Sequence, residues 1–407
     1  MRTNRIGRML AFCFALLIAV SAVQCSVVSA SAAALPGDTW TKGSITATLD
    51  IKEQDAGNVT VNAYKLVSVH TAQLGGTNPA VFQPSMPEYT WESGIAGWVR
   101  KYYRDYIGAA ADGGNPADDS VQEVFSEEKV TDAATLAEFY GKIEAAIMKG
   151  DISGLTVKSV TASGEGPAVI SNLTMGVYLV TATGGTAVYR PTVAMITPEE
   201  SNGSWTITEN AQVGLKSSPV SLVKTITAVN GSADTTAVSS DGKRAVAGIG
   251  DTVSYKLEVD VPEYPSQSVS RAFIIQDTLP EGLTLTQDTI KVKMSDGTEL
   301  QNLSDRIRVE GQVLTIDLTP DAGKTIQNPI DGKRKLLVTY DAQLNADAPL
   351  GEAGNVNTAS LTYSNNPYDA DSEKIVVDTA TVYTFGIEVA KVAKGTKTGL
   401  RGAVFEL

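Results

Sequence analysis

The chain is expected to be mainly β, a tandem of Ig-like β-sandwich domains of which the first carries a helical insertion. Three observations predict this. Short runs in which apolar and polar residues alternate recur along most of the 407 residues, punctuated by glycine and asparagine. One stretch, about residues 93–150, breaks that rhythm with apolar residues at helical spacing. The length itself leaves room for two or three domains.

Taken in order, the chain opens on Arg2, Arg5 and Arg8, an apolar run at 9–20 and a small-residue run at 29–34. That layout is a secretory signal peptide, with cleavage after Ala32 or Ala34 fitting an A-x-A site. The formal net charge is -13, and residues 1–34 hold three arginines and no acid, so the exported chain stands near -16. Such acidity speaks against nucleic acid or an anionic membrane as partner. Both cysteines, Cys13 and Cys25, lie in the leader. The exported protein therefore has none, although it enters a compartment where disulfides would form. Its mechanical toughness has to come from elsewhere.

The first domain is expected over 35–216. Residues 44–51 put Ile45, Ala47, Leu49 and Ile51 on one face, 59–69 form a second β-rich run, and Gly57-Asn58 between them is a turn signal. Ile95, Trp98, Val99, Tyr102 and Tyr106 then follow helical spacing, as do Leu136, Phe139, Ile143 and Ile147, with Gly150 placed to stop the second helix. Residues 109–120 read as a loop. The aromatic stripe is expected to pack on its own sheet. Strands return at 155–161, 168–173, 177–183 and 187–196, and an exit strand from Trp205 through Leu215 closes the domain.

The second domain, 217–383, holds the chemistry. In GNVNTASLTYSNNP (354–367) the face carrying Ala359, Leu361 and Tyr363 also carries Asn357. A buried amide without partners costs roughly 1–3 kcal/mol, so this one should be bonded or used. In SLVKTI (221–226) Lys224 shares a face with Leu222 and Ile226; in FIIQDTL (273–279) Asp277 shares one with Phe273, Ile275 and Leu279. Singly, each reads as a snorkelling side chain or a shifted register. Together they argue for a reactive triad. Burial disfavours charge on both ionisable groups, and a neutral amine beside a protonated carboxyl bonded to the amide carbonyl can attack that carbonyl. Ammonia leaves and a Lys–Asn isopeptide bond remains. Asn355 and Asn365 are close enough in sequence to be rival acceptors.

Residues 211–383 resemble the fimbrial isopeptide-forming domain of Gram-positive, sortase-assembled pilins. The matching blocks are SLVKT (221–225), GDTVSYKLEV (250–259), IIQDTLPEGLTL (274–285), LLVTYDAQL (336–344) and NTASLTYSNNP (357–367). The resemblance implies Lys224 as nucleophile, Asp277 as proton shuttle and Asn357 as acceptor. VNAYKLV (61–67), GVYLV (176–180) and Tyr189-Arg190-Pro191 are similar to the N-terminal domain of the same pilins. That domain closes with a tryptophan, a short strand and Tyr-Pro-Lys, whose lysine the sortase uses to join subunits. Here Trp205 is followed by NAQVGLK (210–216), so Lys216 holds the lysine's place while Gly214-Leu215 stands where Tyr-Pro is expected.

Beyond Tyr383, Phe385, Ile387, Val389 and Lys391 share a face, and GLRGAVFEL (399–407) looks like the hairpin that opens a collagen-adhesin B-type domain. The resemblance makes Lys391 the amine of a second isopeptide whose acceptor lies downstream of residue 407. Residues 384–407 are thus expected to be the truncated start of a third domain.

The expected function is a non-enzymatic one: a structural shaft subunit of a covalent surface pilus, secreted and anchored to the cell wall. Its partners would be identical subunits, a sortase and a host or matrix ligand, with no membrane insertion in this span. The alternatives are an adhesin with a stapled stalk, or a non-catalytic part of a larger carbohydrate-active enzyme. No cofactor or metal is expected. The single histidine, His70, falls in a strand, no His/Asp/Glu group has metal spacing, and no carboxylate pair marks a sugar site.

Overall fold

A computed structural model describes residues 26–29, 40–51, 55–70, 88–107, 133–164, 166–201, 204–234, 236–265, 267–300, 303–320, 335–386, 389–402 and 404. Most of the expected leader, the expected loop at 109–120, Ile387 and residues 405–407 lie outside the described residues. Among the described residues the architecture is β sheets in two successive units, with two α-helices on the first.

In the first unit one sheet runs in the order Ser26–Ser29, Ser204–Gly214, Gly43–Thr48, Ala168–Leu173, with Pro198–Ser201 also on Ser204–Gly214. The other runs Glu88–Trp91, Val59–His70, Gly176–Gly184, Thr192–Ile196, with Val157–Ala162 also paired to Val59–His70. Gly57 turns the chain at φ 78°, as its sequence position suggests. The strands on either side of it nevertheless do not pair with each other. Ile45 and Ala47 from one and Val59, Val61 and Ala63 from the other are buried in one shared core, so the two strands face each other across it. Gly43–Thr48 runs parallel to Ser204–Gly214 instead.

The 187–196 run, expected as one strand, is two: Val188–Tyr189 and Thr192–Ile196. Pro191 has no amide to give a ladder, so the pairing breaks there. The freed half, Val188–Tyr189, pairs with Ser217–Ser218 at the head of the second unit.

Helix α1 spans Ser93–Tyr102 and α2 spans Ala133–Lys149, ended by Gly150 at φ 82°. Tyr106, expected on the first helix, sits in a short 3-10 turn, Arg104–Tyr106, because α1 ends at Tyr102. Ile95, Val99, Leu136, Phe139 and Ile143 are buried against Leu66, Val67, Leu179 and Val193 of the sheet. Trp98, Tyr106 and Phe139 of the aromatic stripe pack with the sheet as expected, whereas Tyr102 is 54% exposed.

The second unit pairs a four-stranded sheet with a six-stranded one. The first has the order Leu222–Val229, Thr252–Asp260, Lys335–Leu344, Leu283–Met294. The other has the order Arg244–Val246, Glu373–Tyr383, Asn355–Ser364, Phe273–Thr278, Val313–Asp317, Ile307–Glu310. Their inner rows form one core that includes Leu222, Leu257, Val338, Phe273, Leu361 and Val382.

The two units are joined by more than the chain. Tyr363 donates its hydroxyl to the Thr186 carbonyl at 2.8 Å, Asn365 donates to the Ala187 carbonyl at 2.9 Å, and Lys374 to the Gly185 carbonyl at 2.6 Å. Val188 of the first unit is buried in the second unit's core.

Candidate functional site

Three strands and their neighbours place the site. In Leu222–Val229 the inward row is Leu222, Lys224 and Ile226; in Phe273–Thr278 it is Phe273, Ile275 and Asp277; in Asn355–Ser364 it runs from Asn355 through Asn357, Ala359 and Leu361 to Tyr363. The period-two alternation forces this, since moving any row by one residue would put its apolar members in water. Phe273–Thr278 and Asn355–Ser364 pair antiparallel with Asp277 opposite Ala359, so Asp277 and Asn357 are diagonal neighbours on one face. Lys224 comes from the facing sheet.

Lys224, Asp277 and Asn357 are all fully buried. Lys224 Nζ donates to Asp277 Oδ2 at 2.5 Å. A fourth group binds all three. The Tyr340 hydroxyl accepts from Lys224 Nζ at 2.8 Å and from Asn357 Nδ2 at 2.8 Å, and it donates to Asp277 Oδ2 at 2.7 Å. The Tyr340 ring stacks on Tyr255, with centroids 5.3 Å apart, and Lys224 Nζ lies 4.9 Å from the Tyr255 ring centre and 5.4 Å from that of Tyr340. Asp277 Oδ1 and Asn357 Oδ1 are buried without a hydrogen-bond partner.

Burial is the dominant cause that pulls the Lys224 amine down to about 8, against the opposing pull of Asp277. Its main chain is fixed from the other sheet: the amide donates to Asp378 Oδ2 at 2.7 Å and the carbonyl accepts from Lys243 Nζ at 2.7 Å. Lys243 and Asp378 also pair with each other. The lysine is thus held at both ends of its residue while its side chain crosses the core.

The rival amides are placed elsewhere. Asn355 is fully buried but donates to the Val382 carbonyl, and Asn365 serves the junction between the units. Of the three asparagines, Asn357 is the one whose amide shares the Tyr340 hydroxyl with Lys224. The arrangement brings an amine of lowered pKa, a carboxyl and a side-chain amide together out of water.

Among solved structures, the chain is similar to the T6 backbone pilin of serotype M6 Streptococcus pyogenes, whose structure is modular and three-domain. The superposition has a TM-score of 0.57 at 19% identity and covers 88% of this chain and 68% of that one. This chain has a pilin fold. The "trypsin-resistant surface T6 protein" of Streptococcus pyogenes serotype M6 is 29% identical over 189 residues, 42% of this chain and 34% of that protein. The match thus spans about a third of that relative's length. The major pilin SpaD of Corynebacterium diphtheriae superposes with a TM-score of 0.45 at 17% identity, over 86% of this chain and 67% of its own. No family model matches the chain.

On this pilin fold the remaining candidate lysines are both exposed. Lys216 lies between the strands Ser204–Gly214 and Ser217–Ser218, its carbonyl taking the Arg190 amide at 3.0 Å. Its side chain is open to solvent at the seam of the two units. Lys391 sits in a short antiparallel contact, its carbonyl accepting from the Leu400 amide at 3.0 Å, with Phe385 and Val389 of its row also exposed. His70 Nε2 meets Thr90 Oγ1 across paired strands at 2.9 Å. Among the described residues no group of three His, Cys, Asp or Glu is placed to hold a metal ion, and no helix is long and apolar enough to cross a membrane.

Tyr340 and Tyr255 are the site residues that sequence reasoning missed. The signal was present: in LLVTYDAQL the row Leu336, Val338, Tyr340, Ala342, Leu344 is buried throughout, and it carries one phenol among apolar residues. A buried hydroxyl needs a partner as much as a buried amide does.

Proposed function

We propose that this protein is a structural shaft subunit of a covalent surface pilus, stapled internally by a Lys224–Asn357 isopeptide bond and joined to identical subunits by a sortase through Lys216. The observation that carries the reading is the fully buried Lys224–Asp277–Asn357 cluster inside a pilin fold. A buried ion pair is weak support for stability, since apolar residues of the same volume serve as well or better. Its presence here makes sense as chemistry.

In the proposed reaction the neutral Lys224 amine attacks Asn357 Cγ, Asp277 shuttles the proton, and ammonia leaves. Asp277 acts once per molecule, so there is no turnover. The relatives support the wider role: T6 is described as a backbone pilin and SpaD as a major pilin. The expected site of action is the cell surface, after export, with wall anchoring through the assembled pilus.

The test is the intact mass of the full chain expressed without its leader, beside Asp277→Ala. The wild type should be lighter than its sequence by one ammonia and the variant should not. A full mass in well-folded wild type removes the staple. Lys216→Ala, incubated with sortase, should fail to form the high-mass ladder, and an undiminished ladder moves the junction to another lysine.

A further inference from the structure

We propose that the Tyr340 hydroxyl is a catalytic proton relay for the cross-link, handing to the Asn357 nitrogen the proton that lets it leave as ammonia; this rests on the cross-link reading above. The balance of the reaction requires such a path. Lys224 Nζ bonds to Asn357 Cγ, the Cγ–Nδ2 bond breaks, Nζ gives up one proton, and the departing nitrogen takes one up. Nothing is oxidised or reduced. One proton has to travel from Nζ to Nδ2.

The structure lays that path through Tyr340. Nζ reaches Asp277 Oδ2 at 2.5 Å, Oδ2 meets the Tyr340 hydroxyl at 2.7 Å, and the hydroxyl meets Nδ2 at 2.8 Å. A shorter path runs from Nζ directly to the hydroxyl at 2.8 Å. Both end on Tyr340, which gives one proton and receives one, so the phenol is restored. Asp277 touches the amine but reaches the amide nitrogen through the phenol.

The direction of the last contact fits its use. In the planar amide the nitrogen lone pair is delocalised, so Nδ2 donates to the phenol oxygen, as observed. In the tetrahedral adduct the nitrogen becomes pyramidal and basic, and the same 2.8 Å contact reverses, with the phenol as donor. The switch needs only the phenol hydrogen to swing from Asp277 Oδ2 to Nδ2 as that nitrogen becomes pyramidal. The ring is fixed for it by stacking on Tyr255. A purely structural tyrosine would need one partner for its hydroxyl; this one holds three, and two of them are the atoms that exchange the proton.

The experiment follows bond closure by intact mass in freshly made, cell-free-synthesised full chain, quenched in acid at intervals. Tyr340→Phe should close about 100-fold more slowly or not at all, the usual range for loss of a positioned proton donor, while remaining folded by circular dichroism. Fluorotyrosine at 340 keeps the ring and the fold but acidifies the phenol, so the closing rate should change and its pH profile should move. Closure of Tyr340→Phe at the wild-type rate overturns the relay and leaves the staple intact. An unchanged rate and pH profile with fluorotyrosine overturns it equally, whether or not Tyr340→Phe folds. If folded wild type never loses ammonia, the cross-link itself fails and the relay falls with it.

Discussion

The ring of Tyr368 lies against the backbone of Gly141 so closely that a methyl group on Gly141 would stand 2.8 Å from its Cε1 atom. Gly141 is in the middle of α2, and Tyr368 belongs to the loop after Asn355–Ser364 of the second unit. The helical insertion is therefore clamped from both sides, by its own sheet and by the neighbouring unit. Gly141→Ala tests the clamp because two effects oppose. In an exposed helix the change would stabilise by about 1 kcal/mol; here overpacking costs about 1–3 kcal/mol and should win. Urea unfolding should show a net loss, and Gly141→Ala combined with Tyr368→Ala should avoid that clash. A stabilised Gly141→Ala protein would show that the contact carries no weight.

The same clamp buries an acid. Glu144, one turn along α2, is buried with Oε2 unpartnered, and burial pushes its carboxyl up to about 8, partly offset by a hydrogen bond with Asn366. Tyr64 on the sheet and Tyr368 on the loop are the titratable groups that feel it. Below the unfolded value near 4.5 both states hold the proton and the site is neutral in each. From there to about 8 the folded chain keeps a proton that the unfolded chain has released, so stability falls as pH rises. Glu144→Gln, neutral throughout, should match wild type near pH 4 and exceed it by roughly a few kcal/mol above pH 8. Urea midpoints at the two pH values decide it; a difference that does not vary with pH removes the buried acid as cause.

If the staple forms, it closes a loop that spans most of the second unit. Treated like a disulfide, such a loop is worth about 5 kcal/mol through the unfolded chain. Lys224→Met removes the amine and its charge while keeping the length of the side chain, and leaves Asp277 bonded to Tyr340. This variant should show the full mass of its sequence and unfold about 5 kcal/mol more easily in denaturant. Equal stability of variant and wild type would count against a covalent tie.

The sequence is legible here wherever a pattern is local. The inward direction of Lys224, Asp277 and Asn357 followed from period-two alternation, because one register alone buries Leu222, Phe273 and Leu361. The stripes of α1 and α2 followed from helical spacing in the same way. Where the pattern breaks, legibility stops. The split of 187–196 at Pro191, and the placing of Gly43–Thr48 across the core from Val59–His70, depend on which strands compete for a ladder.

Composition, strand faces and the inward placing of a lysine, a carboxylate and an amide were thus determined by the chain's own order. Alternation fixes which side of a strand a residue occupies, and nothing more distant is needed. Which asparagine shares the Tyr340 hydroxyl with Lys224 was decided by the fold, since Asn355, Asn357 and Asn365 are all buried and differ in their partners: Val382, Tyr340 and Ala187. The role of Tyr340 was decided there too. Its hydroxyl gathers side chains from three other strands, and only the closing of two sheets over one core brings those strands within 3 Å of a single oxygen.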